Sequence, residues 1–115
     1  MPRALNTYDI FTAIAEPKRR VLIEVLITDE KSVNEVVEVT RWPQPMVSKH
    51  LKVLKQAGLV SERKEGRQRV YKVNASQLKP VQSWISQFEQ HWIGQLDQLD
   101  HYLTELQTTR EPHER

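Results

Sequence analysis

Hydrogen-bond donors and cations collect in two runs of this chain: QPMVSKHLKVLKQAGLV at residues 44–60 and RKEGRQR at residues 63–69. On a helix of 3.6 residues per turn, Val47, Leu51 and Leu54 of the first run share one face, flanked by Met46 and Val53. Gln44, Pro45, Ser48, Lys49 and Lys52 fall on the other side. An apolar stripe can hold such a helix to a domain while its amide, hydroxyl and ammonium groups face outward. The major groove of B-DNA admits a helix and presents base edges to those groups. The residues expected to meet base edges are Gln44, Ser48 and Lys49, in the N-terminal half. In the second run, Arg63, Lys64, Arg67, Gln68 and Arg69 suit phosphates or an adjacent minor groove. Charge supports this: residues 41–73 hold 9 Lys/Arg against 2 Asp/Glu, a balance of +7, while the segments before and after carry −2 and −3. A basic segment between acidic flanks is the footprint of a polyanion binder.

Other chemistries find less support. The absence of cysteine removes disulfides, thiolate metal sites and cysteine nucleophiles. The three glycines, Gly58, Gly66 and Gly94, are too scattered for a phosphate-cradling loop. Ser48, Lys49 and His50 are neighbours on a helix and point about 100° apart, so they cannot pair as nucleophile and base. No constellation points to an enzyme.

The elements that must position the two runs are short. Thr7–Ala15 reads as a helix capped by Thr7, ended by Glu16-Pro17 because a residue before proline avoids the helical region. Pro17 suits the first turn of a second helix, with Val21, Leu22, Val25 and Leu26 facing inward. Asp29-Glu30-Lys31 reads as a turn. Ser32 and Glu35 form a capping-box pattern for a third helix, whose buried face is Val33, Val36 and Val37. After a tight connection the fourth helix runs from about Pro43 to Ala57, closed by Gly58 as a left-handed cap with Leu59 folding back. Two strands follow, joined near Glu65-Gly66. A last helix, capped by Asn74 or Ser76, covers about residues 75–107, leaving 108–115 as a polar tail. The expected fold is mainly α with a small β-hairpin, in the order ααα–α–ββ–α. Two short helices closely joined, the second with a polar outer face, make a helix-turn-helix, and the basic hairpin is its wing.

The last helix carries a seam. Leu78, Val81, Ile85, Phe88, Trp92, Leu96, Leu99, Leu103 and Leu106 are spaced 3, 4, 3, 4, 4, 3, 4 and 3. The mean step of 3.5 is close to a coiled-coil repeat, and Trp84, Ile93 and Tyr102 widen it. A winged-helix core cannot cover that much apolar surface, so the seam is expected to pack on the first helix, through Phe11, and on a twin last helix. Such a dimer would set two recognition helices about 34 Å apart, one turn of DNA, and so select a palindrome.

AEPKRRVLIEVL together with QPMVSKHLKVLKQAGLVSERKEGRQRVYKV resembles the ArsR/SmtB family of winged-helix repressors, over about residues 8 to 106. The resemblance implies a dimeric bacterial repressor of palindromic operators, with Gln44, Pro45, Ser48 and Lys49 at the DNA-facing positions of the recognition helix. The chain departs from the family pattern at Arg41, where glycine is common, and at Pro43, where a Ser or Thr cap is common. Many members of the family sense metals, through cysteines of the third helix or through carboxylate and histidine pairs just after the second wing strand. This chain lacks the first, and VNASQLKP offers none of the second. His91 and His101, ten residues apart, stand about 80° apart around a helix. Zinc there is disfavoured, and no cofactor is expected.

The sequence reading is therefore a single winged helix-turn-helix domain at residues 1–107 that binds double-stranded DNA and itself. The alternatives are a winged-helix module for protein interaction and a metal- or small-molecule-responsive form of the repressor. No apolar run approaches the roughly 18 residues of a membrane span, and no signal-peptide core opens the chain, so a cytoplasmic location is expected.

Overall fold

The computed structural model describes residues 9–114, with side chains as far as Gln107. The elements are α1 (Ile10–Ala15), α2 (Pro17–Ile27), β1 (Lys31–Ser32), α3 (Val33–Thr40), α4 (Gln44–Gln56), β2 (Val60–Glu65), β3 (Gln68–Val73), a 3-10 turn (Ala75–Leu78), α5 (Lys79–Ser86) and α6 (Glu89–Glu114). They fall into two compact units, within residues 1–81 and within residues 82–115. The first is a winged helix-turn-helix. Among the described residues no helix is long and apolar enough to cross a membrane.

Local chemistry sets most of the boundaries. Thr7, the expected first cap, lies outside the described residues; Asp9 caps α1, its Oδ1 accepting from the Thr12 N–H at 2.7 Å. Pro17 opens α2, where its missing N–H costs nothing. Ser32 and Glu35 close the capping box reciprocally, at 3.2 and 2.8 Å. α3 ends on Arg41, held left-handed at φ 62°. α4 ends in a Schellman motif: the Gly58 N–H donates to the Lys55 carbonyl and the Leu59 N–H to the Leu54 carbonyl, with Gly58 at φ 84°. Leu59 is thereby turned back and fully buried.

The core of the first unit forms where these elements converge. Leu22 and Leu26 of α2, Val36 of α3, and Val47, Leu51 and Leu54 of α4 meet Leu59, Val60, Tyr71 and Val73. Each fully buried aliphatic side chain contributes about 1.5–3 kcal/mol. α2 differs from its expected face: Ile23 is buried and Val21 is exposed, because the stripe that meets the core is Leu22, Ile23 and Leu26.

The sheet also differs from the expected hairpin. It has three antiparallel strands in the order β1-β3-β2. β1 comes from residues read as turn and cap, and pairs Lys31 with Tyr71 and Ser32 with Val70. A two-residue strand has no periodicity of its own; it exists because β3 offers it a ladder edge. β2 and β3 pair from Val60↔Val73 to Glu65↔Gln68. Gly66, at φ 64°, takes the first position of the two-residue loop, where a type II′ hairpin favours glycine.

The long last helix is not continuous. At residues 87 and 88 the N–H groups reach back three residues, to Trp84 and Ile85, before the i→i−4 pattern resumes with Trp92 to Phe88. α5 and α6 are therefore separate helices, and α6 runs past Leu106 to Glu114. Just after the break the apolar spacing takes two successive steps of four, Phe88–Trp92–Leu96.

Candidate nucleic-acid interface

α4 is seated by its apolar stripe: Val47, Leu51 and Leu54 are completely buried. That fixes the rotation of the helix and turns its polar side outward. Pro43 forms its N-cap without a side-chain hydrogen bond, and Pro45 occupies the first turn. The N-terminal N–H groups there lack a side-chain cap.

A concavity of about 610 Å³ lies between α4, the start of α3 and the hairpin. Gln44, Ser48, Lys52 and Lys55 line it from α4, and Arg67, Gln68 and Arg69 line it from the hairpin. Ser32, Val33 and Asn34 close one side, and Glu62 and Tyr71 form part of the floor. Six of the ten residues expected from sequence to face DNA line one hollow: Gln44, Ser48 and Lys52 of the helix and Arg67, Gln68 and Arg69 of the wing. Pro45 and Lys49 are exposed one helical position from Gln44 and Ser48, outside the lining. Lys64 is exposed on the hairpin.

Arg63 stands apart. Neighbours on a strand point to opposite faces, so Glu62 turns toward α4 and Arg63 away from it. Arg63 makes a bidentate pair with Glu30 at 2.7 and 2.8 Å and reaches Glu65 at 3.3 Å. The Arg63 hydrogen bonds hold the Glu30 carboxyl below its usual range, and Glu30 in turn raises the guanidinium. This clamp ties the outer face of the hairpin to the loop before β1.

The inner face carries a second clamp that sequence reasoning missed. The Glu62 side chain is only 9% exposed and accepts three hydrogen bonds, from Lys55 Nζ at 2.5 Å, Tyr71 Oη at 2.8 Å and Arg69 Nη1 at 3.0 Å. The Lys55 bond, then that of Tyr71, holds its carboxyl down to about 2. Burial, then the bond to Glu62, pushes the Tyr71 phenol up to about 12. The readable signals were the step from Lys52 to Lys55, which continues the Gln44–Ser48–Lys52 row, and the alternation that sets Glu62 inward with Val60. Among the described residues, Lys49, Lys52, Lys64 and Arg67 form no ion pair.

His50 lies on the buried side of α4, with Nδ1 3.4 Å from Arg19 Nη1, while Arg19 donates to the carbonyls of Ala13 and Thr12. Burial first, then Arg19, lowers its basicity. It joins α1, α2 and α4 rather than facing the hollow. His91 and His101 are exposed on α6, and His101 Nε2 is 3.5 Å from Glu105. Among the described residues, no three His, Asp or Glu side chains converge closely enough to hold a metal ion.

The apolar residues expected at a dimer interface divide. Leu78 packs on the core of its own unit, and Val81 and Ile85 are half-buried. Phe11 on α1 is exposed, as are Phe88, Trp92, Leu96, Leu99 and Leu103. Trp84 and Phe88 stack edge to face at 5.1 Å.

Residues 16–62 match the family described as "Bacterial regulatory protein, arsR family". The chain is 37% identical over 65 residues to the HTH-type transcriptional repressor SmtB of Mycobacterium tuberculosis, covering 56% of this chain and 48% of that protein. It thus spans about half the length of that relative. It is 36% identical over 76 residues to the HTH-type transcriptional regulator Rv2034 of the same organism, covering 66% of this chain and 71% of that one. Among solved structures, it resembles one titled "Crystal structure of Possible transcriptional regulator for arsenical resistance". That match has a TM-score of 0.60 and 37% identity, over 76% of this chain and 88% of the other.

Proposed function

The chain belongs to the arsR family of bacterial regulatory proteins, and from that premise we propose that it is a homodimeric repressor that binds a palindromic operator in double-stranded DNA. The observation that carries this reading is the shared hollow: the polar row of α4 and the tip of the hairpin face the same space. A duplex laid there meets Gln44 and Ser48 at base edges, with Lys49 at the shoulder of the helix. Arg67, with no ion pair to break among the described residues, meets phosphate. The exposed apolar row of α6 is the surface for a second copy, and that pairing sets the spacing of the two α4 helices. The relatives named as transcriptional repressors support the direction of regulation. No metal enters this reading.

The test is binding to a palindromic duplex library and to random duplex at two salt concentrations. Arg67→Ala is expected to weaken binding on every sequence alike and to flatten the log–log salt slope by about one. Lys49→Ala is expected also to change the preferred sequence. Equal losses on selected and random DNA from both variants would count against base reading by α4. The rival reading, a protein-interaction module, predicts no duplex binding at either salt.

A further inference from the structure

A groove suited to a polyanion contains one carboxylate whose side chain is largely covered. Glu62 lies in its floor with both oxygens engaged: Oε1 by Lys55, Oε2 by Arg69 and Tyr71. Lys55 and Arg69 line the same groove. Their side chains are 51% and 59% exposed, so both ammonium and guanidinium are open to solvent while bonded to Glu62. We propose that Glu62 is a specificity-determining residue that acts as an internal substitute for phosphate, withholding Lys55 and Arg69 from the DNA backbone. The inference rests on the reading that this groove binds duplex DNA.

The physical argument is one of competition. A free surface cation that meets a phosphate releases a condensed counterion, and this sequence-independent gain supplies non-specific affinity. A cation already neutralised by a carboxylate at hydrogen-bond distance gains little from the exchange. Its new partner only replaces the old one, and Glu62 would be left with the Tyr71 hydroxyl alone beside another anion. The Lys55 pair also holds the hairpin to α4, and the Arg69 pair joins the two strands of the hairpin. Glu62 thus keeps the wing in place and spends two positive charges on that task. The free cations, Lys52 and Arg67, are left to grip the duplex. Lower non-specific binding widens the ratio of operator to random affinity.

The experiment measures binding of the full chain to a random-sequence duplex by fluorescence anisotropy between about 50 and 200 mM salt. Glu62→Gln is nearly isosteric and removes the charge. It is expected to steepen the salt slope by about one to two, so that the ratio of affinities at the two salts grows roughly four- to sixteenfold. Arg69→Ala is expected to change the slope little in the wild-type background and by about one in the Glu62→Gln background. An unchanged slope in a Glu62→Gln protein that circular dichroism shows to be folded would overturn the inference. Should that variant not fold, Arg69→Ala and Arg67→Ala decide in the wild-type background. A slope loss much smaller for Arg69 supports withholding, and equal losses overturn it. Absence of any duplex binding by the wild-type chain is a different result, which removes the DNA reading and this inference with it.

Discussion

α4 and α6 carry nearly the same apolar rhythm with opposite outcomes. In α4 the steps of four and three through Val47, Leu51 and Leu54 end in complete burial. In α6 the steps of four and three through Trp92, Leu96, Leu99, Leu103 and Leu106 leave every one of these side chains exposed, Leu96 by 62%. Helical period says which residues share a face and is silent on what covers that face. α4 finds α2, α3 and the sheet around it. α6 is a row of large apolar groups at the 3.5-residue step of a coiled coil, far more than scattered surface leucines require. The proposed second copy would do for α6 what the core does for α4.

Truncation should separate the two helices most sharply. Leu51→Ala leaves a hole in a filled core and is expected to lower unfolding free energy by about 2–5 kcal/mol in urea. Leu99→Ala should cost a monomer no more than about 0.5 kcal/mol. If the row of α6 pairs with a twin, Leu99→Glu should halve the sedimenting mass, and wild-type stability should depend on concentration. A wild-type mass of one chain at micromolar concentration would break the comparison.

Acid should act on the α4 side through two separate groups. His50 has a folded value below its ordinary 6.5 because of burial and Arg19. The unfolded chain therefore takes up the proton first, and stability should fall as pH drops below that value. Glu62 is held at about 2 against an ordinary 4.5. Its contribution is full above 4.5 and should be lost as pH falls toward 2. Thermal melts across these windows test both, with His50→Gln expected to flatten the upper one and Glu62→Gln the lower. A melt that stays level from pH 7 to 3 would contradict the geometry of both sites.

The smallest expected effect is at the joint before α4. Arg41 sits at φ 62°, a region that costs a side chain with a Cβ about 1 kcal/mol. Arg41→Gly should raise stability by up to about 1 kcal/mol, reduced by the greater chain entropy of glycine when unfolded. A clear loss would mean that the arginine side chain contributes something beyond this cap.

Much of this was readable because it is local. The Ser32–Glu35 box, the Pro17 start and the Gly58 stop each lie within a few residues of the backbone groups they satisfy, and each forms as its residue types demand. The polar row on α4 was readable for a related reason: the apolar stripe fixes the rotation of the helix, so the opposite face follows. Less local features were not. Val21 and Ile23 are both branched apolar residues of α2, and only the position of the core selects Ile23. Lys31 and Ser32 look like a turn and a cap until β3 arrives beside them. The break after Ser86 involves neither proline nor glycine.

The division follows the range of the forces. Caps, turns and amphipathic faces depend on contacts within one or two turns of chain, and the amino-acid order alone determined them, together with the +7 segment that marks a polyanion surface. The pairing of Glu62 with Lys55, of Arg63 with Glu30 and of His50 with Arg19 joins groups 7, 33 and 31 residues apart. Which cations stay free for a ligand and which are already bound is decided only when the sheet and helices pack, because charge is conserved along the chain but its partners are chosen in space.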